Sequence, residues 1–119
     1  TINRHLMTNQ CSLANQQAFS TTDAEIALET AFALKAKALS HPARVRILKI
    51  LVTLDNLGGC LNSDLVSQLG LAQSTVSEHL RILKQAEFII AEPNPPKVCY
   101  KVNREAISEF NQTFNTVFN

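Results

Sequence analysis

The sequence predicts a mainly α domain completed by one small β-hairpin, and three observations carry that reading. Apolar residues recur at helical spacing through most of the chain from Asp23 onward, two β-rich segments flank the turn Pro93-Asn94-Pro95-Pro96, and a short helical stretch meets a longer one across Gly70. With 119 residues and 45% hydrophobic content, the chain has enough apolar side chain for one core and too little length for two.

Each element has its own local cause. Residues 1–22 are crowded with Thr, Asn, Gln and Ser and read as a flexible N-terminal arm that cannot offset its ordering entropy by burial. Met7 follows closely on Thr1, so the sequence leaves open whether residues 1–6 are native. From Asp23, the positions Ile26, Leu28, Ala31, Phe32 and Leu39, with many Ala and no breaker, predict a first helix. Ser40 offers an N-cap and Pro42 a first-turn proline for a second helix, whose Val45, Ile47, Leu48, Ile50 and Leu51 should be largely buried. Gly58-Gly59 ends it, and Asn62-Ser63-Asp64 is a capping cluster for a short helix through Val66 and Leu69, stopped at Gly70.

The stretch from Ala72 to Glu87 places Val76, Leu80 and Leu83 on one inward stripe and leaves a polar, short-chained outer face at its start. A short helix, a turn and a longer helix with such a face form a helix-turn-helix, whose second helix can enter a major groove. Phe88–Glu92 and Lys97–Val102 then read as the strands of a wing, and Asn103 as the cap of a last helix carrying Ile107, Phe110, Phe114 and Phe118. The fold class is therefore a winged helix-turn-helix spanning residues 23–119. The Ala-rich first helix and the Phe-striped last helix are more apolar than one small core needs, so either they pair with a second copy as a homodimer or they fold back on their own core.

Charge and composition narrow the function. Eleven basic against ten acidic residues give a net charge of +1, so DNA binding must rest on local patches rather than a whole-molecule field. No apolar run is long enough for a membrane span, and no basic flank leads into an apolar secretory segment, which points to a cytoplasmic protein with no membrane partner. Three cysteines without a CxxC pair argue against a disulfide framework.

Two strings make the chain resemble a known family. Ala38-Leu39-Ser40-His41-Pro42-Ala43-Arg44-Val45-Arg46-Ile47-Leu48, followed by Ser74-Thr75-Val76-Ser77-Glu78-His79-Leu80-Arg81-Ile82-Leu83, is similar to the ArsR/SmtB transcriptional repressors over about residues 23–119. The resemblance implies a winged-helix homodimer, paired through its first and last helices, that represses its operon. It also implies release from operator DNA when a metal, a metalloid or a redox signal modifies it.

On the leading part of the recognition helix lie Gln73, Ser74, Thr75, Ser77, His79 and Arg81. Gln suits an adenine edge, Arg a guanine edge, and the hydroxyls serve bases or phosphates. Lys84, Lys97, Lys101 and Arg104 are phosphate candidates, or plain solvated charges. His79 reads equally as a packing residue beside the apolar stripe. Glu78 is awkward on a DNA face unless it accepts from cytosine or from a neighbouring cation.

The effector has to be sought among the cysteines. The last helix carries Glu105 and Glu109 without His or Cys, so the zinc site that some family members build there is not expected, and the paired-cysteine motif of arsenic and cadmium sensors is missing around Cys60. In winged-helix folds the segment entering the helix-turn-helix often pairs with the second wing strand, which would put Cys60 beside Cys99, with opposed β-carbons about 4.5 to 5.5 Å apart. Strand alternation places Val98, Tyr100 and Val102 on the core face and leaves Cys99 with Lys97 and Lys101 on the wet one. Cys11, on an extended arm reaching up to about 40 Å, could close over them. Trivalent arsenic or antimony favours three thiolates, so Cys11, Cys60 and Cys99 form a candidate ligand set for arsenite, or antimonite, as inducer.

The alternative is a thiol switch, a disulfide or polysulfide bridge between Cys60 and Cys99 alone. The remaining readings are cysteines with no ligand role, a small thiol reductase, and a winged-helix module that binds no DNA. The reductase is disfavoured because Cys60 is only near the helix N-terminus that would activate it.

Overall fold

In the computed structural model, residues 10–61 and 65–119 are described, together with the helical backbone of residues 2–9. The capping cluster expected at Asn62-Ser63-Asp64 lies outside the described residues. The elements run α1 (Ile2–Phe19), α2 (Asp23–Ala38), α3 (Pro42–Asn56), α4 (Leu65–Leu69), α5 (Gln73–Gln85), β1 (Ile89–Asn94), β2 (Lys97–Val102) and α6 (Arg104–Phe118). A mostly helical chain with one antiparallel hairpin following a helix-turn-helix is the winged arrangement the sequence predicts.

Local chemistry sets the boundaries. Thr22 caps α2 by accepting from the Glu25 amide at 3.1 Å, and Asp23 and Glu25 in its first turn with Lys35 and Lys37 in its last complement the helix dipole. The cap of α3 differs from expectation. His41 supplies it, its Nδ1 accepting from the Ala43 amide at 3.0 Å, because the Ser40 hydroxyl already donates to the Lys37 carbonyl at 2.7 Å. Gly70, at φ +67, turns the chain between α4 and α5 in a conformation that L side chains rarely adopt. Asn103 caps α6 through the Ala106 amide at 3.2 Å.

The segment read as an arm contains no Gly or Pro between Ile2 and Phe19 and forms α1. Residues 10–19 are exposed throughout, so this helix buries no side chain of theirs. Its rise of about 1.5 Å per residue means that Cys11 to Phe19 spans only about 12 Å, well short of the extended reach.

The core gathers Ile47 and Leu51 of α3, Val76 and Leu83 of α5, Phe88, Ile89 of β1 and Val102 of β2. Of the apolar residues expected to bury α3, Val45 is exposed, because only one face of the helix meets the core. Helices α2 and α6 form a second apolar layer, in which Phe32 stacks on Phe110 with centroids 4.9 Å apart and meets Phe114 and Phe118 at 6.0 and 5.9 Å. In the hairpin, Ile89 faces Val102 and Asn94 faces Lys97. Leu61 adds one bridge to Tyr100, exchanging both backbone hydrogen bonds at 3.0 and 2.9 Å.

Candidate nucleic-acid interface

The recognition helix α5 is fixed from beneath by Val76 and Leu83, which rotates Gln73, Ser74, Thr75 and Ser77 outward into solvent. Gln73 and Ser77 lie one turn apart, with Gln73 Nε2 donating to Ser77 Oγ at 3.3 Å. A groove of about 280 Å³ runs between this helix and the wing, and Gln73, Ser77, Lys97 and Tyr100 line it. On the other side of the wing, Lys84 and Lys97 border a second concavity with Pro93, Pro95 and Pro96. Lys97 and Val98 line both concavities, so the wing lies between the start of α5 and Lys84.

The other sequence candidates divide. Arg81 is exposed but held by Glu78 in a two-pronged ion pair, Nε and Nη2 donating to the carboxylate at 2.9 and 2.6 Å, while Nη1 reaches Gln85 at 3.1 Å. Arg81 thereby keeps the Glu78 carboxyl below its usual range and is itself raised by the same contact. The neighbouring cation that Glu78 needs is thus its own i+3 neighbour. Lys101 pairs across the hairpin with Glu92 at 3.4 Å, and Arg104 is tied to Asp55 at the end of α3 at 2.8 Å, so both carry acidic partners.

His79 is a correction to the groove-contact reading: it is only 5% exposed and faces inward. The signal was present in the spacing, since His79 stands three residues after Val76 and four before Leu83, on the buried stripe itself.

The cysteines behave differently from the alternation argument. Cys99 is buried, and Val98, expected in the core, is 42% exposed. The sheet has only two full strands, so Val98 projects beyond the core edge near the wing tip, and Cys60 covers Cys99 instead. Cys60 and Cys99 are joined as a disulfide across 39 residues, with Cα atoms 5.8 Å apart. They flank the Leu61–Tyr100 bridge diagonally rather than facing each other directly. Cys11 is exposed and unpaired on α1, and among the described residues no group of three or more His, Cys, Asp or Glu side chains could hold a metal ion.

Comparison with known proteins agrees with this geometry. The model of the bacterial regulatory protein ArsR family matches residues 41–91, from the α3 cap into the wing. An HTH-type transcriptional regulator of Mycobacterium tuberculosis strain H37Rv is 36% identical over 85 residues, covering 68% of this chain and 71% of that protein. The arsenical resistance operon repressor of Staphylococcus xylosus is 30% identical over 81 residues, covering 68% and 74%. Among solved structures, an ArsR-like transcriptional regulator from Rhodococcus sp. RHA1 superposes with a TM-score of 0.60 at 17% identity, covering 75% of this chain and 80% of its own. Reduced HlyU from Vibrio cholerae does so at 0.56 and 24% identity, covering 76% and 93%. At these identities the structural likeness speaks for the fold. No helix among the described residues is long and apolar enough to cross a membrane.

Proposed function

The chain belongs to the ArsR family of bacterial regulatory proteins, a family of transcriptional regulators and not of enzymes, and from that premise we propose a DNA-binding repressor whose operator affinity is set by the Cys60–Cys99 pair. The observation that carries the proposal is the position of the disulfide, between the segment entering the helix-turn-helix and the second strand of the wing. Gln73, Ser74, Thr75 and Ser77 enter the major groove, and Lys84 and Lys97 contact the flanking phosphates. Two copies, paired through the exposed apolar residues of α2 and α6, place their recognition helices at half-sites roughly one helical turn apart.

In the switch, the dithiol form holds the operator. Hydrogen peroxide takes two electrons and two protons from the thiols, leaves as two water molecules, and the new S–S bond clamps Leu61 to Tyr100. That clamp fixes the wing to the segment entering α4, so that only the dithiol form can adjust the wing to a duplex. The test is retention of a self-selected DNA duplex by protein reduced with dithiothreitol and then oxidised with peroxide. Loss on oxidation in the wild type, and none in Cys60→Ser or Cys99→Ser, supports the switch. Equal retention by both redox forms overturns it.

A second reading has arsenite, or antimonite, as the inducer, captured by the reduced pair with Cys11 as third thiolate. The arsenical resistance operon repressor among the relatives and the soft thiolate character of the pair favour it. Because α1 is helical, Cys11 must approach by movement of that helix or from the second copy. Arsenite titration of reduced wild type and Cys11→Ser in peroxide-free buffer separates the readings. Release that needs all three cysteines supports the metalloid, and indifference to arsenite removes it.

A further inference from the structure

His79 is the one buried polar side chain among the described residues, and it lies in the middle of the recognition helix. Its Nδ1 is 3.1 Å from Arg44 Nη1. A guanidinium can only donate, so Nδ1 is the acceptor, the imidazole is neutral, and its proton sits on Nε2, which is buried without a partner. Against this ring packs His41, with centroids 4.4 Å apart and planes at 50°. His41 Nδ1 accepts from the Ala43 amide at 3.0 Å and so caps α3. Arg44 is itself anchored, Nε donating to the Ala38 carbonyl at 2.7 Å and Nη2 to Ser40 Oγ at 3.4 Å. One cluster thus ties the end of α2, the start of α3 and the middle of α5 together.

We infer that His79 is a positioning residue for DNA recognition: with Arg44 and His41 it sets the rotation of the recognition helix against α3, and it does so only while its Nδ1 accepts from Arg44. The inference rests on the DNA-binding reading and is independent of the cysteines. A proton on His79 Nδ1 would turn the acceptor into a donor facing a donor and place two cations in contact. A proton on His41 Nδ1 would uncap α3 and put positive charge at its N-terminus, the unfavourable end of the dipole. The charged and titratable groups around His79 are His41 and Arg44 from α3 and its start, and Glu78 from its own helix. Glu78 gives little compensation, since its carboxylate is taken by Arg81. Burial first, then His41 and Arg44, hold the His79 imidazole below its ordinary value of 6.5, against the weaker pull of Glu78. With a depressed folded value, the neutral cluster is intact above 6.5 and is lost as the pH falls through the lower folded value.

The experiment compares wild type with His79→Asn and His41→Asn, singly and together. Asn keeps an acceptor where Nδ1 stands and cannot be protonated, and it is a good helix cap. The probe is a duplex selected from a random library by oxidant-free wild type, and binding is followed by fluorescence anisotropy at fixed ionic strength from about pH 7.5 to 5.5. Wild type is expected to lose affinity progressively as the pH falls below 6.5, and the series, carried on to about pH 4.5, should show a severalfold loss, while the double variant changes less than about twofold. His5, the remaining histidine, is present in every protein compared. Ring-nitrogen NMR gives a readout that needs neither DNA nor a variant, and at pH 7.5 it should find His79 as the Nε2–H tautomer. Affinity that is flat or rises on acidification, a double variant that falls as far as wild type, or a His79 protonated at neutral pH overturns the inference. A library from which wild type selects no duplex would instead remove the DNA-binding reading, and the NMR titration would still decide the state of His79.

Discussion

Lys35 reaches from α2 to the far end of the recognition helix, where its Nζ donates to the Ala86 carbonyl at 2.6 Å and lies 5.7 Å from the centroid of the Phe88 ring. Ala86 is the C-cap of α5, so the ammonium sits where the helix dipole is negative and an end carbonyl lacks an intrahelical donor. Glu87 adds a second contact at 3.4 Å, from a residue held at φ 67. The contact ties the α2 layer to the C-terminal end of α5. Lys35→Met, which keeps the apolar stem over Phe88, should lower stability by about 1–2 kcal/mol. Urea denaturation should show the loss as a lower midpoint at unchanged slope, and an unchanged midpoint would mean that the contact contributes nothing.

The disulfide predicts a large dependence of stability on redox state. Closing a 39-residue separation removes loop entropy from the unfolded chain worth about 4 kcal/mol in the chain-entropy model. Thermal unfolding with and without dithiothreitol should therefore differ by several degrees in wild type. Cys99→Ser should melt at or below the reduced wild type and ignore the reductant. A reductant-insensitive wild type would show that the bond is not formed in solution.

Much of this arrangement was legible because it is written in local chemistry. The stripe of Val76, Leu80 and Leu83, the Asn103 cap and the turn at Gly70 each follow from spacing or from one residue's conformational preference. What was not legible depends on neighbours distant in sequence. Strand alternation alone assigns Val98 to the core and Cys99 to solvent, yet the cover supplied by Cys60 and Leu61 and the narrowness of a two-stranded sheet reverse both. His79 falls between the two cases. Its place on the stripe is local information, but a histidine is accepted there only because Arg44, 35 positions earlier, satisfies Nδ1. Likewise spacing reveals the Phe stripe of α6 and the apolar Phe32 of α2, whereas their stacking within one chain depends on how the two helices pack.

That intramolecular packing leaves the proposed dimer with specific residues. Phe110 is largely consumed by Phe32 and Phe88, while Phe114 is 48% exposed and Phe118 67% exposed beside Phe32 of α2. Burying a Phe side chain contributes about 1.5–3 kcal/mol, so Phe118→Ser should weaken self-association at least about tenfold. Sedimentation velocity across a dilution series should detect that shift while far-UV circular dichroism stays that of wild type. A variant that associates as tightly as wild type would exclude this face from the interface.

The Glu78–Arg81 pair carries the last prediction. A carboxylate at the surface of a recognition helix repels phosphate, and here it also occupies two of the nitrogens of the one arginine on the helix. On the proposed DNA-binding reading, Glu78 is expected to act as a restraint on indiscriminate binding, lowering affinity for every duplex and leaving discrimination to Gln73 and the hydroxyls. Glu78→Gln should raise affinity for an arbitrary duplex roughly fivefold at low ionic strength and steepen the salt dependence by about one phosphate contact. Anisotropy titrations from about 50 to 200 mM salt give both quantities. Adding Arg81→Gln to the variant should return the slope to the wild-type value, because the freed guanidinium is the source of the added contact. If the slope stays steep without Arg81, the gain comes from lost repulsion alone and the restraint does not act through the arginine.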